Sequence, residues 1–492
     1  MKNRIILFAV SVMLPLLMMP AFAASAREVS DTDITSAVNT ELWADNAVSA
    51  NNIDVDTDEG VVTLEGKVNS ILAKDRAEAI AEAVVGVRSI VNLVKVKPDE
   101  KMSDRKLAKE IERAWIEDPA ADSFELDAEV DDGIVTITGK VQSFAEKNLS
   151  AMVAKGVKGV KGIKNEIEVR YKTERNDTEI ENEITERLKN DVRVDDYLID
   201  VEVDDGEVEL SGTVGSLQEK SRARSDAWVA GVESVEAEDL DVDWWARDKM
   251  RRTKTYISRT DAEIKKAVQD AFLYDPRVLS FKPSVKVTAG TVTLSGSVDN
   301  LAAKRAAEED AQNTIGVWRV KNQIKVRPDV PSNEELENRV QTALLRDPYV
   351  ERYQINVDAY NGWVYLSGEV NTSYEKNKAE RVTEKVKGVA GVINSIDYEY
   401  EWIWKPDWEI RADVQDQLAW SPFVDAEDVS VSVDDGLVTL SGTVDSWSES
   451  DDAEKNAYQG GAKDVLNNLT VDYSYYGPYG PGYYGSDYYR GG

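Results

Sequence analysis

Neither cysteine nor histidine occurs anywhere in the 492 residues. Without cysteine no disulfide can staple the chain, so each folded unit must be held by its apolar core and its hydrogen bonds. Without histidine the usual general base, the commonest transition-metal ligand and the natural switch near neutral pH are all missing. Ser-His-Asp and Cys-His nucleophile arrangements are excluded, and zinc, copper and haem lose their customary ligands. Positive charge is scarce as well. Fifty-nine Lys and Arg stand against 92 Asp and Glu, a formal net charge of −33. Such a solvated acidic exterior keeps a protein dispersed and repels nucleic acid and, on average, anionic headgroups. Beyond the N-terminal segment no apolar run is long enough to span a bilayer. No GxGxxG, Walker or nucleophile-elbow pattern stands in a suitable strand-to-helix context. These absences point away from an enzyme and imply no cofactor, metal, nucleic-acid partner or small-molecule substrate.

The N-terminal segment reads as a secretion signal. Lys2 and Arg4 precede an apolar stretch from Ile5 to Met19, and Ala21-Phe22-Ala23 and Ala24-Ser25-Ala26 offer small-residue cleavage sites. The stretch is shorter than a membrane span needs, so residues 1–26 are expected to be a cleaved signal peptide and the mature protein to be periplasmic. No cysteine follows the cleavage region to anchor a lipid.

What the chain does have is repetition. The phrase Gly-x-Val-x-(Leu/Ile)-x-Gly-x-Val begins at Gly60, Gly133, Gly206, Gly290, Gly362 and Gly436, at spacings of 73, 73, 84, 72 and 74 residues. Self-similarity at that period defines an array of small units. Each unit opens with apolar residues at i, i+4 and i+8, one face of a helix. The triplets are Ile34/Val38/Leu42, Leu107/Ile111/Trp115, Ile180/Ile184/Leu188, Ile264/Val268/Phe272, Leu336/Val340/Leu344 and Ile410/Val414/Leu418. Ser30, Ser103, Asn176, Thr260 and Ser332 are placed to cap these helices, with Glu179, Glu263 and Glu335 completing capping boxes. Pro406 holds that place in the sixth unit, where Asp407 is expected to cap instead. Asp118-Pro119, Asp275-Pro276, Asp347-Pro348 and Ser421-Pro422 stop the helices.

Alternating strands follow, as in Val201/Val203, and Asp-Gly or Asn-Gly pairs supply the positive φ angles of a tight hairpin. The second glycine of the phrase (Gly66, Gly139, Gly212, Gly296, Gly368, Gly442) interrupts the second strand, which predicts a bulge or the close approach of a helix. A second helix ends at Gly86, Gly159, Gly231, Gly316, Gly388 and Gly461, and a last strand closes the unit. The order is α-β-β-α-β: a three-stranded sheet with two helices on one face.

This pattern resembles the BON domain, a family named for bacterial osmotically inducible periplasmic and nodulation-related proteins. The resemblance rests on the capped helix with its Asp-Pro end, the hairpin phrase, and a G-V-x-x-V-x-N ending. That ending reads GVRSIVN from Gly86, GVKGIKN from Gly159, GVWRVKN from Gly316, GVAGVIN from Gly388 and GAKDVLN from Gly461. The third unit departs: GVESVEA from Gly231 lacks the asparagine and carries one extra residue before its last strand. Six α/β (α+β) modules are therefore expected at 30–98, 103–172, 176–243, 260–328, 332–404 and 407–473. The resemblance implies envelope maintenance, osmotic stress and, in some members, phospholipid binding; it does not imply an enzyme.

Most linkers are short, so neighbouring modules are expected in contact or at restricted angles. The exception, 244–259, sets Trp244, Trp245 and Tyr256 beside Arg247, Lys249, Arg251, Arg252 and Lys254. Such a mixture suits a membrane interface; a clasp onto the acidic neighbouring modules is the competing reading, favoured because that surface is already tethered nearby. Tyr398, Tyr400, Trp402, Trp404 and then Trp408 form a second aromatic group, read as an extended final strand packing on a neighbour, or else a sticky edge. The Tyr/Gly/Pro-rich tail, 474–492, is expected to be disordered, either a bland terminus or a flexible adhesive. Asp54, Asp56, Asp58, Gly60 and Glu65 imitate a calcium loop, but the glycine falls one place late and Val61 to Leu64 belong to a strand. The expected function is a periplasmic scaffold making weak multivalent contacts with phospholipid surfaces or envelope proteins, with a chaperone-like holdase as the alternative.

Overall fold

A computed structural model describes residues 29–471 apart from 46, 49–51, 100, 122–123, 173–174, 247–258, 352 and 399–404. The expected signal peptide and the Tyr/Gly/Pro tail lie outside the described residues. Six times the chain runs helix, strand, strand, helix, strand, giving a mixed α and β architecture of separate small sheets.

The first helices are all of 14 residues: Asp31–Ala44, Asp104–Glu117, Asp177–Asn190, Asp261–Tyr274, Asn333–Arg346 and Asp407–Trp420. Their apolar triplets are buried, and each such side chain contributes roughly 1.5–3 kcal/mol. Ser30, Asn176, Thr260 and Ser332 cap through their side chains, and the boxes with Glu179 and Glu263 form. Three expectations are corrected. Ser103 stands at the cap without a side-chain hydrogen bond. Glu335 turns instead to Arg339, one turn along the same helix. Asp407 does not cap, because its carboxylate accepts the N–H groups of Asp435 and Gly436 at the hairpin tip, at 3.1 and 3.0 Å.

That last contact is general. The first residue of each first helix reaches its own hairpin turn: Asp31 accepts from Glu59 and Gly60, Asp104 from Asp132 and Gly133, Asp177 from Asp205 and Gly206, Asp261 from Ala289 and Gly290. Asn333, with one acceptor oxygen in place of a carboxylate, accepts from Asn361. The turn residues hold positive φ, as in Asp132 at 45° and Gly133 at 79°. The clasp therefore fixes an otherwise strained turn against the helix.

In every module the second strand lies in the middle, antiparallel to the first and parallel to the last, as Val61–Val68 does between Ile53–Asp58 and Ser89–Asn92. Its interior glycine is explained neither by a helix nor by a simple bulge. A Cβ on Gly66 (φ 133°) would stand 1.9 Å from the carbonyl oxygen of Asn52, where the first strand begins. Gly139, Gly212, Gly368 and Gly442 face the equivalent carbonyl at 2.0–2.6 Å, whereas a Cβ on Gly296 meets nothing nearer than 3.8 Å. The asparagine of the module ending ties the last strand to the second helix. Asn92 donates to Lys74 O and Glu78 Oε2 and accepts from Val94 N. In the third module Ala237 stands there, and the extra residue is absorbed before Leu240 pairs with Gly212.

Six separate cores result, but the modules are not beads on a string. Ile71, the first residue of the first module's second helix, is buried in the second module's core. Phe144, its counterpart in the second module, stacks on Trp228 of the third with ring centroids 3.7 Å apart. Leu217, the counterpart in the third, packs on the core of the first, closing a triangle. Leu301 of the fourth module packs on the fifth, and Trp447 of the sixth donates to Trp318 O of the fourth at 2.8 Å. A second kind of contact joins the two sets of three. Ile315 N of module four donates to Asn190 O of module three (2.9 Å), and Lys158 N of module two donates to Arg346 O of module five (2.8 Å). Asn190, Arg346 and Trp420 each end a first helix, and Trp420 packs on the first module's core. The expected close association of modules thus takes the form of a cluster in which the ends of first helices recur at the joins.

Candidate functional surfaces

The helices meet around a partly open space of about 2260 Å³ lined by residues of all six modules. Much of its charge is spent holding modules and helices together. Arg346 pairs with Glu117 at 2.6 Å, Lys155 with Asp75 at 2.6 Å and Arg305 with Glu384 at 2.7 Å, each across a module boundary. Within module three, Arg222 bonds Asp191 at 2.6 Å and Arg187 bonds Asp226 at 2.8 Å, and the Arg187 guanidinium lies 4.0 Å over the ring of Tyr274 of module four. Burial, with Asp191 nearby, pushes the Asp226 carboxyl up to about 6, and burial drives Asp310 well above the ordinary carboxylate range. Glu219 is buried too and is pushed up to about 7 by desolvation, although it accepts the N–H groups of Asp195 and Gly215 at 2.8 Å each. Among the described residues no group of three or more acids is placed to hold a metal ion.

Part of the helix surface is committed to neighbouring modules, and the outward positions of the strands are largely exposed. The residues singled out from the sequence fall unevenly on this frame. Trp244 and Trp245 lie in a helical turn, 244–246, that follows the last strand of module three; Trp245 is 40 % exposed while Ala246 beside it is buried. Trp408 is 71 % exposed on the first helix of module six. Arg247, Lys249, Arg251, Arg252, Lys254, Tyr256, Tyr400, Trp402 and Trp404 lie outside the described residues. Tyr398 ends the strand Gly391–Tyr398 and packs on the fifth core.

A larger aromatic surface was not anticipated. On the outward face of module five's sheet, Tyr360 pairs across the hairpin with Trp363, and Tyr365 pairs with Ile393. All four are exposed. The Trp363 ring lies over Gly391, where a Cβ would meet it at 2.6 Å. Its signal was present in GWVYLSGEV. Trp363 and Tyr365 occupy the outward positions where modules one and four carry Val61 and Thr63, and Thr291 and Thr293.

A family model described as the BON domain matches residues 30–98, 103–171, 176–243, 260–328, 332–400 and 406–473. Osmotically-inducible protein Y of Escherichia coli is 46% identical over 67 residues, 14% of this chain and 33% of that protein. The outer membrane lipoprotein DolP of Haemophilus influenzae is 30% identical over 157 residues, 30% of this chain and 78% of that protein. The match thus spans a third of the first relative and more than three quarters of the second. The C-terminal domain of CdsD, a structural protein of the type III secretion system of Chlamydia trachomatis, matches at 14% identity over 42% of this chain and 96% of that one. Its TM-score of 0.12 carries no argument.

Proposed function

Because the chain belongs to the BON-domain family, with six such domains in tandem, we propose that it is a non-enzymatic protein of the bacterial cell envelope. It protects that envelope under osmotic stress through weak contacts made at several places at once. The names of the relatives, one osmotically inducible and one an outer membrane lipoprotein, support the setting. No helix among the described residues is long and apolar enough to cross a membrane. Attachment to a phospholipid surface or to envelope proteins then rests on side chains of the outer faces.

The observation that carries this reading is the exposed Tyr360, Trp363, Tyr365 and Ile393 group, together with Trp245 and Trp408. Amphipathic rings are suited to the headgroup level of a bilayer. Several such sites on one cluster raise avidity without any single strong contact. Vesicle co-sedimentation of the whole chain tests it. Trp363→Ser with Tyr365→Ser is expected to lower binding several-fold, and alanine at Trp244, Trp245, Arg251 and Arg252 to lower it further. Binding indifferent to both sets would remove the lipid reading.

The second reading is a holdase for unfolded secreted proteins. It is favoured by the pairing of that aromatic face with Gly391–Tyr398, an uninterrupted eight-residue strand at the sheet's edge. Exposed edges accept extended chains. Suppression of client aggregation without vesicle binding, lost in the same Trp363/Tyr365 variant, would favour it.

A further inference from the structure

The outward faces of modules three and four are opposites. On module three, Glu202, Glu209 and Glu236 stand side by side across the three strands, and Asp204 and Glu207 pair in the next row. Asp200 and Asp241 extend the acidic field toward the other end of the sheet. No strand of this sheet (IDVEVD, EVELSGTV, SVE, LDV) contains a cation. On module four the corresponding rows are Lys286–Thr293–Lys321 and Thr288–Thr291–Arg319, with Ser297 beside Lys325. No strand of that module (SVKVT, TVTLS, SV, RVKN, KV) contains a carboxylate, in a chain where acids outnumber bases 92 to 59. The four cations are exposed, and none has an ion-pair partner among the described residues.

Like charges directly opposite one another in a sheet cost roughly 0.2–1 kcal/mol per pair. Folding does not require them, since module four builds the same rows from threonine and lysine. The acidic rows are therefore a local cost without a local return.

We propose that these two faces are halves of one contact between copies of this chain, the acidic sheet of module three in one copy lying on the basic sheet of module four in the next. Each face has what the other lacks. Four cations and the hydroxyls of Ser284, Thr288, Thr291, Thr293, Ser295 and Ser297 are all donors. The carboxylates opposite are all acceptors. An anionic membrane would use only the basic face and leave the acidic one unexplained. The contact is heterologous, so it propagates from copy to copy. Three strands of about six residues offer roughly 14 by 20 Å, about 300 Å² per partner. A standard interface buries about 800 Å² per partner, so the contact is weak and shows only at high concentration.

Ionic strength gives the contact a signature. Near 0.01 M salt the screening length of about 30 Å lets two bodies of charge −33 repel as wholes. Near 0.1 M it falls to about 10 Å, which silences distant charge but spares groups in contact, and near 1 M the contact itself is screened. Association is therefore expected to peak at intermediate salt.

The experiment is sedimentation velocity of the full chain across that salt range and up to about millimolar protein. The expected result is concentration-dependent growth that peaks near 0.1 M salt. Lys286→Glu, Arg319→Glu and Lys321→Glu together make both faces acidic; Glu202→Lys, Asp204→Lys, Glu207→Lys, Glu209→Lys and Glu236→Lys together make both basic. Each variant alone is expected to associate roughly tenfold more weakly or worse, and an equimolar mixture of the two to associate again. Rescue on mixing shows that both variants are folded. A wild-type chain that stays monomeric throughout overturns the proposal, as does association unchanged in both variants. So does anionic-vesicle binding lost with the basic face while self-association is absent, which would assign that face to membrane.

Discussion

A single carboxylate at the start of five of the six first helices holds a hairpin turn 28 and 29 residues further along the chain, as Asp177 holds Asp205 and Gly206 at 3.2 and 3.1 Å. Hydrogen bonds to a charged acceptor are the stronger kind, so Asp177→Ala is expected to destabilise the third module by about 1–3 kcal/mol. Hydrogen exchange at the Gly206 amide reads this directly, and Asp177→Asn should fall between, imitating Asn333 in module five. The sequence shows these aspartates next to the caps, where they read as ordinary first-turn acids; the partner becomes visible only once the hairpin register is known. Glu41 gives a second residue-scale outcome. It is buried where the first module meets Gln417 of the sixth, and desolvation, more than neighbouring Asp45, pushes its pKa from 4.5 up to about 7. The folded chain therefore keeps a proton that the unfolded chain has released, and stability falls as pH rises from about 4.5 through about 7. Glu41→Gln removes the buried charge. Its melting transition is expected to match the wild type near pH 4.5 and to be more stable by roughly 1–2 kcal/mol near pH 8.

At the scale of the element, the middle strand is the part most tightly constrained. Its glycine was legible as an interruption, but not the carbonyl that enforces it, because Asn52 and Asp428 belong to the segment entering the first strand and carry no glycine-like mark of their own. A side chain on Gly442 would stand 2.0 Å from Asp428 O at a φ of 138°, whereas Gly296 at 128° has open space out to 3.8 Å. Gly296→Ala should then cost only backbone strain, on the order of 1–3 kcal/mol. Gly442→Ala must in addition push the two strands apart and should abolish protection of the Val429–Asp434 strand in hydrogen exchange while the other modules keep theirs. Equal costs at the two sites would mean that the φ angle alone selects glycine. The strands also show which surface features periodicity can and cannot reveal. Alternation assigns Val208 and Leu210 to the core and Glu207 and Glu209 to the outside, but it treats every outward position alike. The aromatic row of module five and the charge opposition of modules three and four emerge only when outward positions are compared across strands in register.

For the whole molecule, the repeat in the sequence establishes the six units and their internal order, while their mutual arrangement hangs on residues that are weakly marked. Ile71, Phe144, Leu217, Leu301 and Trp447 are apolar residues at the starts of second helices, outside the buried face of their own helix pattern, and that misfit was the available sign of an intermodule contact. Three such contacts close modules one to three on one another, and the joins from three to four, two to five and one to six each involve the last residue of a first helix. Consecutive position along the chain therefore does not translate into linear order in space. A compact body of this many residues has a radius of gyration of about 23 Å, whereas six modules of about 70 residues set end to end give about 45–50 Å. Small-angle scattering of the full chain is expected to return a value close to the compact one, slightly raised by the terminal segments. Phe144→Ala together with Trp228→Ala removes a stacked pair at the boundary of modules two and three without entering the aliphatic triplets of either core. That variant should swell measurably while each module keeps its protected amides, since opening a boundary exposes surface but leaves six hydrogen-bonded sheets intact. A wild-type radius in the range of the extended chain would refute the closed arrangement and return the sheets, the helix faces and the charged space between them to solvent.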